Sequence, residues 1–458
     1  MSEQEETTVV VRLSLDPTRE QEEILYRYAD SARCAYNFAL GLKVASHQRW
    51  QYGRDKLVAA GMNKKEANKK APKVPIPGAF QIKPIFLAVR DRPLMGPYRE
   101  GEELRYRYPW WKGVNARTWE QAFADADKAW SNWMSSSSGK RKGGPVGYPK
   151  FKRKGRCRDS FRLIGVKPVG ERHLRIPGEK GGQKAFNVRL HCFLHRLEKW
   201  IRKGGVIKTC TVSREGHRWF ASVNVRISKL PNPRPAPHQV SRGAVGVDLG
   251  VSVMAAMSNS VTISGENVQL YKNPKHLDDT RRVLTRWQRR MARRYVKGKP
   301  AHEQSKGWHE AKAQVSRLHA LIAARRASTQ HLLTKRLTTQ FSSIALEDLD
   351  VKQLTQSAKG DLENPGKHVR VKAGFNRMVL DVGFGEIRRQ VEYKSTRYGS
   401  SVALVNPAYT SQTCNACGNV DKRNRKSPSV FVCTACGKTG HSKIIAARNI
   451  RSLAERVE

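Results

Sequence analysis

The 458-residue sequence predicts an α+β multidomain protein, because alternating strand-like segments and long helical segments occupy separate stretches of a chain too long for one domain. A second observation concerns the C-terminal region, where Cys414, Cys417, Cys433 and Cys436 form two CxxC pairs separated by fifteen residues. Four thiolates in two close pairs suit the tetrahedral coordination of structural Zn²⁺. We therefore expect a zinc ribbon here; the alternative is four unrelated thiols.

The charge balance is the third observation. Lys and Arg number 86 and Asp and Glu number 39, which gives a net charge of +47. An excess of this size along the whole chain favours a nucleic acid as the partner, with a membrane surface as the weaker alternative. We expect no transmembrane helix, since no run of about 18 apolar residues occurs, and no signal peptide, since the acidic N-terminus lacks an apolar core.

The N-terminal part predicts one strand followed by helices. Residues 7–15 alternate and are rich in β-branched side chains, as in a strand. Residues 22–43 carry an apolar pattern at helical spacing, and residues 115–134 show the same pattern with aromatic side chains. Between them, the polar and proline-containing residues 45–105 predict a mobile, partly helical insert.

A basic segment with interleaved aromatic residues follows a flexible linker. Tyr148 and Phe151 alternate with Lys150, Lys152 and Arg153, a combination that suits contacts with bases and phosphates. The alternative is a solvated loop. The next stretch is mostly β, with a hairpin predicted for residues 207–227, and the prolines between 231 and 237 indicate a domain boundary.

The C-terminal half places acids in or after apolar strands. Asp248 lies within an apolar strand and is followed by Gly250, and Glu347 ends a second apolar run. A lone carboxylate in such surroundings is costly unless it meets a cation, so we interpret Asp248 as part of a metal site rather than as a turn residue. The two acids could face each other across neighbouring strands.

Residues 270–340 predict a long basic helical hairpin that is broken near residues 297–300. Its first arm supplies further candidate nucleic-acid contacts, namely Arg281, Arg282, Arg286, Arg289 and Arg290. Residues 375–398 predict another helix and residues 401–406 a third strand. The zinc knuckles follow, and residues 444–457 predict the last helix.

The order of these motifs resembles the RuvC-like nuclease core of the TnpB transposon proteins and the type V CRISPR effectors. The resemblance implies a split β-barrel (wedge) with a helical recognition insert, then an RNase H-like RuvC domain with an inserted zinc ribbon. The implied boundaries are residues 1–20 and 146–237 for the barrel, 21–145 for the recognition insert, 238–410 for the RuvC-like domain with its hairpin at 270–340, 411–440 for the ribbon and 441–458 for the last helix.

The resemblance also implies partners and a location. These are a guide RNA and a double-stranded DNA target, chosen by base pairing beside a short motif that the protein reads. No membrane partner is expected. The corresponding location is the cytoplasm of a prokaryotic cell, where the protein would associate with the nucleoid through its binding to DNA.

The sequence departs from the family at the third catalytic acid. That position holds Lys443, the preceding acid position holds His441, and Ile445 replaces an asparagine. Two-metal cleavage needs clustered carboxylates, whereas an ammonium repels Mg²⁺ and pairs with the remaining acids. We therefore expect Asp248 and Glu347 to be catalytic remnants paired to Lys443, with Mg²⁺ binding doubtful.

Three hypotheses about function follow. The leading one is an RNA-guided DNA-binding protein that forms an R-loop and silences transcription by occupancy. The second is an active endonuclease with a rearranged metal site, in which a displaced acid, Glu386, Glu392 or Asp421, completes the cluster. The third is an RNA-binding structural protein that does not search for DNA targets.

Overall fold

Two units make up the chain, residues Met1–Lys229 and Leu230–Glu458. The computed structural model describes residues 6–90, 113–179, 182–228, 233–361 and 363–456. The division falls beside the prolines that end the first β-rich region. Part of the predicted insert at 45–105 lies outside the described residues.

The first unit is built on a seven-stranded antiparallel sheet. Its strands are β1 (Glu6–Asp16), β2 (Ser160–Leu163), β3 (Lys167–Val169), β4 (His173–Ile176), β5 (Phe186–Leu190), β6 (Val206–Glu215) and β7 (Arg218–Ser228). The order β2-β6-β7-β1-β5-β4-β3 places β2 and β3 at the two edges. Within the described residues, this sheet is therefore open rather than closed into a barrel. The predicted hairpin at 207–227 is confirmed as β6 and β7.

The helices in the described residues of the first unit are α1 (Arg19–Ala59), α2 (Lys64–Lys70), α3 (Ala79–Arg90), α4 (Ala116–Ser137) and α5 (His195–Arg202). Thr18 and Gln21 form a capping box at the start of α1. The helix is longer than the predicted residues 22–43, because no proline interrupts the chain until Pro72. The expectation that the insert from residue 45 is partly helical is therefore confirmed in the described residues, and the first part of the insert continues α1.

Apolar and polar residues alternate along the strands of the first unit, and the apolar ones form its core. Val11, Leu13 and Leu15 of β1 are buried on the sheet face that the helices cover, and Trp219 of β7 is buried beside them. Side chains of a strand point alternately to its two faces, so the intervening polar residues reach the opposite face. The aromatic face of α4 joins the same core through Phe123.

The second unit contains a mixed five-stranded sheet. Its strands are β8 (Ala244–Leu249), β9 (Val253–Ile263), β10 (Glu266–Lys272), β11 (Ser343–Glu347) and β12 (Ser401–Val405), in the order β10-β9-β8-β11-β12. β8 is antiparallel to β9 and parallel to β11, which is also parallel to β12. Because β8, β11 and β12 run parallel, the carboxyl ends of β8 and β11 lie at the same edge of the sheet.

The α-helices in the described residues of this unit are α6 (Pro237–Arg242), α7 (His276–Arg293), α8 (Lys306–Gln340), α9 (Val351–Leu354), α10 (Val369–Val382), α11 (Phe384–Tyr398) and α12 (Ser442–Glu455). Of these, α8, α11 and α12 pack against the sheet, and α7 packs against α8. The basic hairpin is α7 and α8, so the predicted helical region from 270 begins with the last residues of β10. The single helix predicted for 375–398 is two helices, because Gly383 adopts a left-handed conformation with φ 74° between α10 and α11.

The close approach of α12 to β8 depends on Gly246. A β-carbon at this position would lie 2.0 Å from the carbonyl oxygen of Ala447 in α12. Only glycine allows that spacing. The beginning of α12 thereby lies near the carboxyl end of β8. None of the helices in the described ranges is long and apolar enough to cross a membrane.

Candidate functional site

The four predicted zinc ligands converge. The Sγ atoms of Cys414, Cys417, Cys433 and Cys436 all lie within 4.8 Å of one another. Two of the separations, Cys414–Cys436 and Cys417–Cys433, are 3.7 and 3.6 Å. A tetrahedron with Zn–S bonds near 2.3 Å has S···S edges of about 3.8 Å. The cluster could therefore hold one structural Zn²⁺.

Asn424 connects the two halves of this module, a role that the sequence did not reveal. The side chain is fully buried. Its Nδ2 donates to the carbonyl oxygen of Gln412 at 2.9 Å, and its Oδ1 accepts from the backbone N–H of Thr434 at 2.8 Å. One amide thus joins the backbone before the first knuckle to the backbone within the second, which positions the ligands.

Asp248 and Lys443 form an ion pair. Nζ of Lys443 donates to Oδ2 of Asp248 at 3.1 Å, and the two side chains are only 12% and 15% exposed. Burial raises the pKa of Asp248 above its ordinary value, while Lys443, Arg425 and His441 act in the opposite direction. Lys443 therefore supplies the positive charge that this carboxylate needs in a poorly solvated position.

Glu347 has a different partner. Oε1 of Glu347 accepts from Oγ1 of Thr410 at 2.6 Å. Burial raises the pKa of Glu347, the Thr410 hydrogen bond lowers it, and the neighbouring charge of Asp248 raises it. Of the two acids expected to pair with Lys443, Asp248 forms the ion pair, whereas Glu347 hydrogen bonds Thr410 and feels the lysine only through its charge.

Gly250 makes room for the lysine. A β-carbon on Gly250 would lie 2.3 Å from Nζ of Lys443 and 2.8 Å from the carbonyl oxygen of Val253. The ammonium therefore lies directly over the α-carbon of Gly250. The turn after β8 and the start of α12 enclose the ion pair between them.

His441 caps α12. Its Nδ1 accepts from the backbone N–H of Lys443 at 3.3 Å. This bond requires an unprotonated Nδ1, and burial together with the charge of Lys443 lowers the pKa of His441. The imidazole therefore serves as the N-cap of α12, accepting from a backbone N–H at the start of the helix.

The acids considered as replacements all have arginine partners. Oε1 of Glu386 lies 2.7 Å from Nη2 of Arg389. Glu392 pairs with Arg388 at 3.0 Å and Asp421 pairs with Arg423 at 2.8 Å. Each of the three carboxylates is thus neutralised by a residue on its own segment.

Tyr36 and Asn37 of α1 hold the segment around Lys152. Asn37 exchanges two hydrogen bonds of 2.8 Å with the backbone of Lys152, and the lysine Nζ lies 3.9 Å from the centroid of the Tyr36 ring. Burial lowers the pKa of Lys152. Its side chain thus packs against its own unit, whereas Lys150 and Arg153 are exposed.

The arginines predicted on the basic hairpin share one helix. Asp278, Arg281, Arg282, Thr285, Arg286, Arg289 and Arg293 of α7 line an open groove of about 780 Å³. Their spacing of three or four residues places them on one face. Arg290 lies instead over the ring of Trp287, 5.0 Å from its centroid. The groove therefore offers several exposed guanidinium groups to one anionic partner.

Family models match three parts of the chain. Residues 223–358 match the model described as "Probable transposase", of the OrfB family of IS605 elements. Residues 384–450 match "Cas12f1-like, TNB domain", and residues 9–51 match "Helix-turn-helix domain".

Curated relatives cover most of the chain. The sequence is 31% identical over 348 residues to "Putative RNA-guided DNA endonuclease InsQ" of Escherichia coli (strain K12), which covers 76% of this chain and 77% of the relative. It is 29% identical over 415 residues to "Putative RNA-guided DNA endonuclease Rv2885c" of Mycobacterium tuberculosis (strain ATCC 25618 / H37Rv), covering 89% and 79%. The structure "Cryo-EM structure of the Cas12f1-sgRNA-target DNA complex" superposes with a TM-score of 0.41 at 13% identity, covering 97% of this chain and 99% of the other. From the sequence relatives and the family models, the chain belongs to the TnpB family of IS605-type transposon proteins.

Proposed function

We propose that this chain is an RNA-guided DNA-binding protein that silences by occupancy and does not cleave its target. It binds a guide RNA, recognises a short motif in double-stranded DNA, and opens the adjacent duplex into an R-loop. The guide chooses the target, and the bound complex obstructs transcription. Family membership supports RNA guidance, since both relatives described above carry the name of an RNA-guided DNA endonuclease.

The ion pair between Lys443 and Asp248 carries the proposal that cleavage is absent. Phosphodiester cleavage by two metals requires cations held between clustered carboxylates. At this site one carboxylate oxygen already lies 3.1 Å from an ammonium. A divalent cation would have to displace that fixed charge against its repulsion, with Glu347 as the second acid.

The sheet of the second unit supports a RuvC-like assignment of residues 238–410. Its strand order is β10-β9-β8-β11-β12. The first three strands are mutually antiparallel, and β11 and β12 run parallel to β8, which is the arrangement expected of an RNase H-like sheet. Asp248 and Glu347 come from neighbouring parallel strands. Residues 411–440 are then the inserted zinc ribbon, and residues 441–458 return to the domain as α12.

We assign the wedge to residues 1–20 and 146–237 and the helical recognition part to residues 21–145. The sheet formed by β1 and β2–β7 corresponds to the wedge, and α1–α4 correspond to the recognition part. The edge strands β2 and β3 of this sheet are not paired with each other, so we assign the wedge to an open sheet rather than to a closed barrel.

Phosphate contacts come from exposed basic residues. The α7 groove presents Arg281, Arg282, Arg286 and Arg289, and Lys150 and Arg153 lie exposed in the first unit. With a net charge of +47, electrostatic attraction dominates the affinity for nucleic acid, which therefore falls steeply with salt.

A rearranged endonuclease is the second candidate. Asp248 and Glu347 remain on adjacent strands, and the relatives are named endonucleases. Cleavage would require Lys443 to leave Asp248 when the target binds, and a third metal ligand to arrive. The arginine partners of Glu386, Glu392 and Asp421 oppose that arrival.

The experiment begins with RNA that copurifies with the full-length protein, which is sequenced to define the guide. The complex is then incubated with a matched duplex in Mg²⁺, in Mn²⁺ and in EDTA. We expect guide-dependent binding that is equal in all three conditions, and no cut strand. Cut DNA in either metal would establish the endonuclease.

Two controls distinguish the proposed function from the remaining hypothesis, an RNA-binding structural protein. A scrambled target should not bind, and a reporter promoter that contains the target should be repressed only with the matched guide. Guide-independent binding of duplex DNA would contradict RNA guidance, and RNA binding without any duplex binding would leave an RNA-binding structural protein as the conclusion.

A further inference from the structure

A stack of three side chains, of which the two aromatic rings are exposed, lies on the first unit at the start of α5. The guanidinium carbon of Arg172 lies 4.7 Å from the centroid of the Phe193 ring. The ring of His195 lies 5.2 Å from the same centroid with an interplanar angle of 10°. Phe193 is 45% exposed, and the side chain of His195 is 73% exposed. The stack thus presents flat, π-bearing surface to solvent.

The backbone that carries this stack is fixed to the core by hydrogen bonds and by a buried leucine. Leu194 lies between Phe193 and His195 and is fully buried, and its N–H donates to the carbonyl oxygen of Glu171 at 2.9 Å. Arg172 also donates to the carbonyl oxygen of His191 at 3.3 Å. Leu194 thus fixes the chain to the core between the two exposed rings, so the position of Phe193 at the surface belongs to the folded unit.

A groove opens beside His195. It has a volume of about 580 Å³ and is lined by His195, Glu198, Arg202, Ile201, Pro168 and Gly170. This volume lies within the usual range of about 300–1,000 Å³ for sites that bind small molecules. The walls combine one aromatic ring, one carboxylate and one guanidinium. These are the groups that stack a base, accept from its exocyclic amine and bind a phosphate.

The surrounding sequence is strongly basic. Among the described residues from 167 to 203, nine are Lys or Arg and three are acidic. The basic residues are Lys167, Arg172, Arg175, Lys184, Arg189, Arg196, Lys199, Arg202 and Lys203. An aromatic platform within a basic surface is typical of a site for unpaired nucleotides, because stacking needs a free base face and the charges attract the backbone.

We propose that this groove binds one unpaired nucleotide of a nucleic-acid strand. The base stacks on His195, which Phe193 and Arg172 support from behind. Glu198 accepts a hydrogen bond from the base, and Arg202 binds the phosphate. The inference rests on the proposed function for the presence of RNA and single-stranded DNA near the protein. RNA and DNA share the chemistry of base and phosphate, so the test distinguishes them.

Photocrosslinking of the full-length protein tests the site. One probe is a short single-stranded RNA with 4-thiouridine, and the other is DNA of the same sequence with 4-thiothymidine. Trypsin cleavage after Arg189 and Arg196 releases a peptide that contains Phe193 and His195. We expect an adduct on this peptide, and the probe that forms it identifies the strand as RNA or DNA.

Variants of the groove and of the stack show whether the groove itself binds. Arg202→Gln should lower the adduct yield about tenfold, whereas Arg202→Lys should retain most of it, because a phosphate contact requires the charge. Phe193→Ala should lower the yield severalfold, because the His195 ring that stacks the base loses the ring behind it, and Phe193→Trp should preserve the yield. Phe80→Ala is the matched control, since Phe80 of α3 is 90% exposed on the same unit.

An adduct yield on this peptide that is equal in wild type, Arg202→Gln and Phe80→Ala would overturn the proposal, as would the absence of an adduct with both probes. Thermal melts of each variant exclude unfolding as the cause of a loss. Neither probe carries a guide, so this outcome is independent of guide-directed target binding.

Discussion

Nζ of Lys443 lies 3.1 Å from Oδ2 of Asp248, at the point where β8 ends and α12 begins. The pair is assembled by backbone proximity, because Gly246 admits the helix and Gly250 admits the lysine side chain. A metal site gathers like charges and requires an added cation. Here the cation is covalently part of the chain, so the second unit can fold around Asp248 without a divalent ion.

Replacing Lys443 with methionine should lower the free energy of unfolding by about 3 kcal/mol at pH 8, because a poorly solvated carboxylate loses its partner. The pKa of Asp248 in the folded protein is already raised, and it rises further without Lys443. The folded state then binds the proton more tightly than the unfolded state, so stability falls as pH rises. The deficit should therefore be larger at pH 8 than at pH 5 in denaturant titrations.

The control for Lys443→Met is the double variant that also carries Asp248→Asn. Removing both charges should restore most of the lost stability, since neither member is left unpaired. A deficit that is the same at both pH values, and that the second substitution does not reduce, would show that the ion pair contributes little.

Local sequence patterns predicted the features that are formed by residues close together in the chain. The CxxC spacing identified all four clustered cysteines, and alternation identified β6 and β7. Contacts between distant segments could not be predicted in this way. Thr410 meets Glu347 across 63 residues, and no periodicity in either segment signals that contact.

Removal of zinc should unfold the ribbon locally. Elemental analysis should give about one Zn²⁺ per chain in wild type and almost none in Cys433→Ser, because a structural site needs all four thiolates. Amide exchange should then rise around the β13 (Val430–Val432) and β14 (Thr439–His441) hairpin. Cys192→Ser is the control, since that cysteine is exposed and lies in the other unit. Equal zinc in all three proteins would contradict the assignment.

Replacing Lys152 should lower the stability of the fold rather than the affinity for nucleic acid. Its ammonium lies over Tyr36, and its stem is half-buried. Lys152→Ala should therefore lower the free energy of unfolding by about 1–2 kcal/mol. Lys150→Ala and Arg153→Ala, which are exposed, should change it by less than about 0.5 kcal/mol. Parallel urea melts and filter-binding measurements would check this division, and a Lys152 variant with native stability but weaker binding would contradict it.

The arginine face of α7 should dominate the salt dependence of binding to nucleic acid. The variant Arg281→Gln/Arg286→Gln/Arg289→Gln removes three exposed charges from the groove. If each guanidinium neutralises one phosphate, the slope of log Kobs against log salt should fall by about 2 to 3 in magnitude. Fluorescence anisotropy at several salt concentrations would measure the slope for the guide RNA and for the matched duplex bound by the loaded complex.

The matched control for the arginine face removes the same charge elsewhere on the second unit. Lys352→Gln/Lys359→Gln/Lys367→Gln alters three exposed residues outside the groove. Its slope should stay within about 1 of the wild-type value, because exposed charges more than about 10 Å from the phosphates are largely screened at 0.1 M salt. Equal reductions in the two triple variants would show that net charge, rather than the arrangement on α7, determines the affinity. A fall confined to the α7 variant would instead locate the phosphates in the groove, since counterions are released only where charges meet the strand.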